Sequence, residues 1–308
     1  MRIAAMAAGA VGGYFGARMA AAGHDVFFIA RGANLAAIKN NGLTIESVHG
    51  ELHLRQVNVT DDPNSVGPVD IVLFAVKLWD TETAAEQTRP LVAPSTRVIT
   101  LQNGVDSYER IAPIVGPERA IAGVTYVVSV IERPGVIKHT SSFATMRFGR
   151  ADKRPDATLQ ALVDAGKAAK LDVDISADIE RERWQKFIFL TAIAGSTAAL
   201  RSPIGAIRAD PELRGFFRQL MEEAFAVGKA KGVALDPAYL DSRMDFLMNK
   251  VEPGMKASMA HDLERGNRLE LDWLAGKVRA LGRQFKIPTP ASDTVYTVLK
   301  LHRMGSQH

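Results

Sequence analysis

The first thirty residues limit most strongly what this chain can become. A short run of small and apolar residues, Ile3-Ala4-Ala5-Met6-Ala7, leads into Ala8-Gly9-Ala10-Val11-Gly12-Gly13. An alanine-rich stretch continues to Gly23, and a second apolar run, Val26-Phe27-Phe28-Ile29-Ala30, ends at Arg31. The pattern reads as strand, glycine turn, helix, strand. A parallel βαβ unit takes about 30 residues and opens most dinucleotide-binding domains. In such a turn one glycine lets the backbone approach a pyrophosphate, and another lets the helix lie close to the strand. The helix N-terminus then offers N–H groups and a partial positive charge to the phosphates.

The turn departs from the usual Gly-x-Gly-x-x-Gly at one place. Ala7-Ala8-Gly9-Ala10-Val11-Gly12 keeps the second and third glycines, but Ala7 stands for the first. An alanine can make this turn if its backbone stays at negative φ, with binding retained at some cost. The competing reading is an ordinary βαβ unit that binds no nucleotide.

Composition narrows the class. The chain has 308 residues, enough for two domains, and its 47% hydrophobic and 23% charged residues are ordinary for a globular protein. It has no cysteine, which removes disulfides, thiol nucleophiles and cysteine metal sites and fits a reducing compartment, so a cytoplasmic protein without a bound metal is expected. The net charge of +4 comes from dispersed basic residues, a mild bias toward anionic ligands rather than a nucleic-acid surface. The alanine-rich start resembles a secretory signal superficially, but glycines and Arg18 break it. No stretch reaches the ~18 uncharged apolar residues of a membrane span.

Further along, residues 35–40 suggest a short helix, and the alternating runs 43–48 and 51–54 around His49-Gly50 suggest a hairpin. Residues 70–77 and 97–104 read as buried parallel strands ending in polar residues, with a helix over 81–88 between them. Strands at 120–130 and 135–148, a helix at 155–170 and a strand at 171–175 complete the first half. From Asp178 the pattern becomes helical: 179–200, 211–231, 237–250, 253–266 and 268–285. The helix at 179–200 is charged for two turns and then apolar all round, as in the centre of a helical domain. The expected architecture is α/β, a Rossmann-type NADP-binding domain over 1–176 followed by an all-helical domain over 177–308.

Ligands of open α/β sheets bind outside the carboxyl ends of the strands, where Arg31, Lys77 and Asn103 fall. NAD sites usually place an acid at the end of the second strand; Arg31 there favours the 2′-phosphate of NADP. Lys186 lies where the central helix becomes apolar. It either snorkels beside Glu182 or faces a cleft as a proton donor. Ser258 and Asp262 share a helix face at i, i+4. Glu270 would sit about 120° round one continuous helix, so it joins them only if the helix breaks, and Gly266-Asn267 is a suitable break.

Taken together, these features resemble the ketopantoate reductase (2-dehydropantoate 2-reductase) family along the whole chain. The shared residues are the run 8–18, Arg31, Val76-Lys77-Leu78-Trp79, Leu101-Gln102-Asn103-Gly104-Val105, Trp184-Gln185-Lys186, Ser258-Met259, Asp262 and Glu270-Leu271-Asp272. The resemblance implies hydride transfer from NADPH to a 2-oxo acid. It implies Lys186 as general acid, with Glu270 near the nicotinamide ribose and the reacting carbonyl. Lys77 and Asn103 would contact cofactor or substrate, Val128 would present backbone to the nicotinamide, and Ser258 would hold the substrate carboxylate. It is compatible with a homodimer.

One departure bears on the substrate. The family's lysine helix carries asparagines four and eight residues after the lysine, which bind the pantoyl hydroxyl and neighbouring oxygens. Here those places are Leu190 and Ala194, and a further polar position is Ile204. The expected activity is therefore NADPH-dependent reduction of 2-dehydropantoate or of a more apolar 2-oxo acid. A redox-sensing protein that holds NADPH without turnover is the alternative from another class. A hydroxyacid dehydrogenase working in the oxidative direction would be favoured by NAD preference, against which Arg31 argues.

Overall fold

The structure, a computed structural model, describes residues 1–306. The chain divides into a sheet unit, Met1–Ile179, and a helical unit from Glu180 onward. The sheet unit runs β1 (Arg2–Met6), α1 (Ala10–Ala21), β2 (Asp25–Ile29), α2 (Gly32–Asn41), β3 (Leu43–Ser47), β4 (Leu52–Leu54), β5 (Asn58–Thr60), β6 (Ile71–Phe74), α3 (Thr81–Thr88), β7 (Arg97–Thr100), α4 (Ser107–Val115), β8 (Ala120–Arg133), β9 (Val136–Gly149), α5 (Ala157–Ala168) and β10 (Asp172–Ile175). These strands make one sheet in the order β4-β3-β9-β8-β7-β6-β1-β2-β5, with β10 beside β9. The pairs around β1 are parallel, while β3–β4 and the long β8–β9 pair are antiparallel.

Strand β1 shows why its sequence is apolar at every position from Ile3 to Met6. Ile3 and Ala5 join one core cluster together with Phe15 and Phe28, and Ala4 and Met6 join another together with Val72 and Phe74. Both faces of the sheet are covered, so period-2 alternation puts every side chain into a core. Strand β1 lies between β2 and β6, so the chain crosses to one side of it and then returns to the other. That reversal opens a crevice at the carboxyl ends of these strands.

The helical unit contains α6 (Ile179–Ala199), which begins at the boundary, α7 (Ile204–Ala209), α8 (Pro211–Ala230), α9 (Ala238–Asn249), α10 (Ser258–Glu264), α11 (Ala275–Phe285) and α12 (Pro290–Leu299). Much of the apolar part of α6 is buried, including Phe187, Ile188, Ala192 and Ala198, while Phe189 and Leu190 are half-buried. Asp210 caps α8, its carboxylate accepting from the N–H groups of Glu212 and Leu213 at 2.8 and 3.1 Å. Among the described residues no helix is long and apolar enough to cross a membrane.

Two expected helices are shorter than their sequence pattern. The stretch 253–257 is not helical, and α10 starts only at Ser258. After α10 the chain turns through Gly266 at φ +68°, and α11 starts only at Ala275. The break at Gly266 is real, and it leaves Glu270 in a tight turn rather than on a helix.

Candidate active-site residues

The crevice end of the sheet unit is built largely of backbone. Ala7 leaves β1 at φ +76°, in the left-handed region, so the expectation of a negative φ was wrong. The turn needs the conformation a glycine would give, and the alanine adopts it with some strain. The geometry beyond it explains why. A Cβ at Gly12 would lie 2.3 Å from the Ala7 carbonyl oxygen, so helix and turn approach to backbone contact there. Ala8 is pinned by its N–H to the Ile29 carbonyl at 2.7 Å, and its own carbonyl accepts from Asn34 Nδ2 at 2.9 Å. A Cβ at Gly9 would stand in open space. Gly9 caps α1, no side chain caps the helix, and its first turn, beginning Ala10-Val11-Gly12, carries no acidic residue. Unblocked backbone at a helix N-terminus with no competing carboxylate is an arrangement suited to an anionic pyrophosphate.

Arg31 follows β2 in extended conformation and is exposed, donating from Nη2 to Gln87 Oε1 of α3 at 2.7 Å. Its guanidinium stands where a dinucleotide fold reads the ribose hydroxyl or its phosphate. Lys77, past the end of β6, is exposed, with its ammonium 5.5 Å from the Trp79 ring centroid. Asn103 is half-buried past the end of β7. Its neighbour Gln102, which sequence reasoning did not single out as a separate site residue, is buried and donates to Val76 O at 3.0 Å and to Thr81 Oγ1 at 2.9 Å. It ties the strand-end loops that carry Lys77 and Asn103. A buried glutamine beside a strand end was the only signal for it. Val128, on β8, is 46% exposed, and its N–H donates to Ser141 Oγ at 3.0 Å.

In the helical unit, Lys186 is half-buried on α6. Loss of water lowers its pKa to about 8, while the nearby charge of Glu270 raises it part of the way back. Glu270 is itself buried. Its position comes from the turn after α10, where its carbonyl accepts from the N–H groups of Trp273 and Leu274, both at 3.1 Å. The helix break therefore brings a carboxylate within electrostatic reach of a lysine 84 positions earlier in the chain, counting from the two residue numbers. A lysine with depressed pKa beside a carboxylate is equipped to deliver a proton near neutral pH.

Leu190 and Ala194 lie one and two turns beyond Lys186 on the uninterrupted α6. Leu190 is half-buried and Ala194 is buried. Ile204 is fully buried in the core at the start of α7. Ser258 is exposed as the first residue of α10, and the preceding Ala257 donates its N–H to Thr197 Oγ1 of α6 at 3.3 Å. Asp262 accepts from Asn267, through Oδ1 at 3.1 Å and through its carbonyl at 2.8 Å, and so holds the turn that leads to Glu270.

The sheet, the glycine turn and the lysine–carboxylate pair define a Rossmann-type, nicotinamide-dependent oxidoreductase with a helical second unit. Two family models match the chain: Ketopantoate reductase PanE/ApbA over residues 3–153 and Ketopantoate reductase PanE/ApbA C terminal over residues 178–303. The chain belongs to the ketopantoate reductase family. It is similar to a 2-dehydropantoate 2-reductase of Mesorhizobium japonicum, at 33% identity over 97% of each chain. It is also similar to an uncharacterized oxidoreductase, YkpB, of Bacillus subtilis, at 30% identity over 98% of this chain and 99% of the relative. The crystal structure of a 2-dehydropantoate 2-reductase from Geobacter metallireducens superposes with a TM-score of 0.91 at 31% identity, over 98% of this chain and 99% of that one. The chain is accordingly an oxidoreductase acting on a CH–OH group, with NADPH as its cofactor.

Proposed function

We propose that this protein reduces a 2-oxo acid to a 2-hydroxy acid, and that its preferred substrate has a more apolar side chain than 2-dehydropantoate. NADPH supplies the hydride when bound. The α1 N-terminus and the turn 7–12 hold its pyrophosphate, and Arg31 pairs with the 2′-phosphate. Lys77 and Asn103 contact cofactor or substrate from the strand ends, and Val128 offers its backbone to the nicotinamide. Lys186 places its ammonium at the substrate carbonyl oxygen, stabilises the alkoxide that hydride addition creates, and transfers a proton to it. Glu270 keeps that lysine charged in a partly dry setting and lies beside the reacting groups. Ser258 holds the substrate carboxylate, with Asp262 supporting the turn behind it.

The observation that carries the substrate reading is the apolar stretch of α6 next to Lys186. Leu190 and Ala194 offer no hydrogen-bond partner, so a substrate hydroxyl buried against them loses about 1–3 kcal/mol. An apolar side chain gains about 0.8 kcal/mol for each methylene it buries there. The test is an NADPH-oxidation screen over 2-oxo acids of graded side-chain polarity. The expected result is kcat/KM for an apolar 2-oxo acid equal to or above that for 2-dehydropantoate. The double variant Leu190→Asn with Ala194→Asn is expected to shift preference back toward the hydroxylated substrate. A preference for 2-dehydropantoate of about a hundredfold over every apolar analogue would remove the pocket assignment, since missing hydroxyl partners cannot give such discrimination.

A further inference from the structure

The long β8–β9 pair shifts register at two places, and the larger interruption is at Val128. Val127 pairs with Ala144 and Ser129 with His139, so the single residue Val128 opposes the four residues 140–143 of β9. The wide bulge leaves the Val128 N–H without a place in the regular ladder. Ser141 replaces that partner: its hydroxyl accepts the Val128 N–H at 3.0 Å and donates to the Phe143 carbonyl at 2.7 Å. Bulges of this kind recur next to active sites, where they re-aim the chain.

The serine is held in turn by a histidine. His139 is 1% exposed, and its Nε2 lies 3.1 Å from the Phe143 carbonyl and 2.9 Å from Ser141 Oγ. A carbonyl only accepts, so Nε2 carries the hydrogen. The other nitrogen, Nδ1, lies 2.9 Å from Ser47 Oγ of β3 and accepts from it in the neutral ring. Loss of water lowers the pKa of His139, its bond to the Phe143 carbonyl raises it part of the way back, and the charges of His49 and Arg18 lower it. Tyr14 of α1 packs on the ring at 4.5 Å between centroids. The bulge is also tied to the nucleotide cradle, because Ser129 Oγ donates to the carbonyl of Ala10, the first residue of α1, at 3.1 Å.

We propose that Ser141, oriented by His139, is a positioning residue for hydride transfer: it fixes the Val128 peptide against which the nicotinamide sits. This rests on the reading of Val128 given above. A peptide unit is planar, so holding one N–H sets the direction of the carbonyl that shares its plane. A bulged residue without that anchor could rotate, and the nicotinamide ring would lose the surface that presents its reactive carbon to the substrate. The direct hydrogen bond from the bulge to the pyrophosphate cradle comes from Ser129 rather than Ser141.

The experiment compares wild type with Ser141→Ala and Ser141→Thr. For each, NADPH dissociation constant, KM, kcat, melting temperature and the isotope effect with NADPH deuterated at the transferred position are measured. For Ser141→Ala the expected kcat falls about tenfold or more, as misplacement of reacting groups does. Its NADPH dissociation constant stays within about twofold, because the turn 7–12 and Arg31, which hold the phosphates, are untouched. The isotope effect on kcat rises, and Ser141→Thr, which keeps the hydroxyl, recovers most of the rate. Unchanged kcat and isotope effect in a folded Ser141→Ala protein would overturn the proposal. So would equal losses of NADPH affinity and kcat together with a lowered melting temperature, which would mark Ser141 as scaffold. If Ser141→Ala does not fold, His139→Gln carries the same comparison, with the same split expected at smaller size and its absence counting against the proposal. Absence of turnover in the wild type with every 2-oxo acid would instead sink the functional reading and this inference with it.

Discussion

The sheet unit and the helical unit carry their chemistry in different materials. On the proposed reading, the nucleotide cradle is backbone: a turn, a helix N-terminus, and open space where Gly9 has no side chain. The lysine site is side chain: an ammonium partly stripped of water, with a buried carboxylate acting on its charge. A backbone site asks the sequence mainly for the absence of atoms, so it should tolerate Ala7 where the usual pattern has glycine. A side-chain site depends on particular charged groups and keeps them at a cost in solvation. Changes in the helical unit should therefore stop the reaction, whereas changes in the turn should mainly move stability.

The largest expected effect is at Lys186. Lys186→Ala should reduce kcat by about 10²-fold or more while NADPH affinity stays near normal, as loss of a general acid does. Steady-state rates and fluorescence titration of NADPH check it. Unchanged turnover with an altered melting temperature would make the lysine an element of the scaffold and erase the contrast between the units. In the wild type, the protonated lysine is the working form, so kcat should fall as pH rises through about 8. Stability moves the other way. Between about 8 and the ordinary value of 10.5 the unfolded lysine holds a proton that the folded one has released, so this group makes folding more favourable as pH rises. In Lys186→Met both the rate limb and that rise in stability should vanish.

Two carboxylates sharpen the comparison within the helical unit. Glu223 of α8 is as buried as Glu270. It accepts from the backbone N–H groups of Ala291 and Ser292 at 2.7 and 2.8 Å and from the Ser292 hydroxyl at 2.7 Å, and so caps α12. Its negative charge is spent on a helix N-terminus. Glu223→Gln turns an amide toward those donors and should lower stability by about 1–3 kcal/mol without moving the pH profile of kcat. Glu270→Gln should do the reverse. It removes the charge that raises the Lys186 pKa, so the alkaline fall in kcat should begin at lower pH, with only a small change in melting temperature. A pH profile that moves in the Glu223 variant but not in the Glu270 variant would exchange their roles.

A smaller change separates cofactor choice from binding as such. Arg31→Ala should weaken NADPH by about tenfold, the usual scale for a lost charge-assisted hydrogen bond, and leave NADH almost unaffected. Equal affinities for the two cofactors in the wild type would remove Arg31 from the 2′-phosphate.

Much of this was readable from the chain. The unit from β1 through α1 to β2 was readable because both faces of β1 are buried and the glycine spacing is local. Strands β6 and β7 and helix α3 were readable for the same reason of simple periodicity. Helices α4, α7 and α12 and strand β5 were not. The start of α12 has a local signal in Pro290 at its first turn, but its cap is Glu223, 67 residues earlier by their numbers, a tertiary contact that local spacing does not show. The Ser141–His139 anchor was hidden as well, because it follows from the β8–β9 register rather than from any spacing. Lys186 and Glu270 could be suspected separately, but only the turn at Gly266 brings them into electrostatic contact.

The smallest effect tests the claim that the turn is a matter of conformation alone. Ala7 at φ +76° carries a left-handed penalty of about 1–2 kcal/mol that glycine does not incur. Glycine would give back part of this gain through the greater freedom of the unfolded chain, about 0.5–1 kcal/mol. It would also lose the Ala7 methyl, which packs at the edge of the Met6–Ile29–Phe74 core and, being only half-buried, contributes less than the roughly 0.8 kcal/mol of a buried methylene. The balance favours glycine slightly. Ala7→Gly should raise the melting temperature by about a degree or two, given that 1 kcal/mol moves a domain of this size by a few degrees. NADPH affinity should stay the same or tighten a little, since the Gly9 and α1 backbone it uses is unchanged. A lowered melting temperature with unchanged affinity would mean that the methyl's packing outweighs the strain. A large loss of NADPH affinity would mean that Ala7 acts through its side chain, and the backbone cradle would then share the dependence on side chains that marks the helical unit.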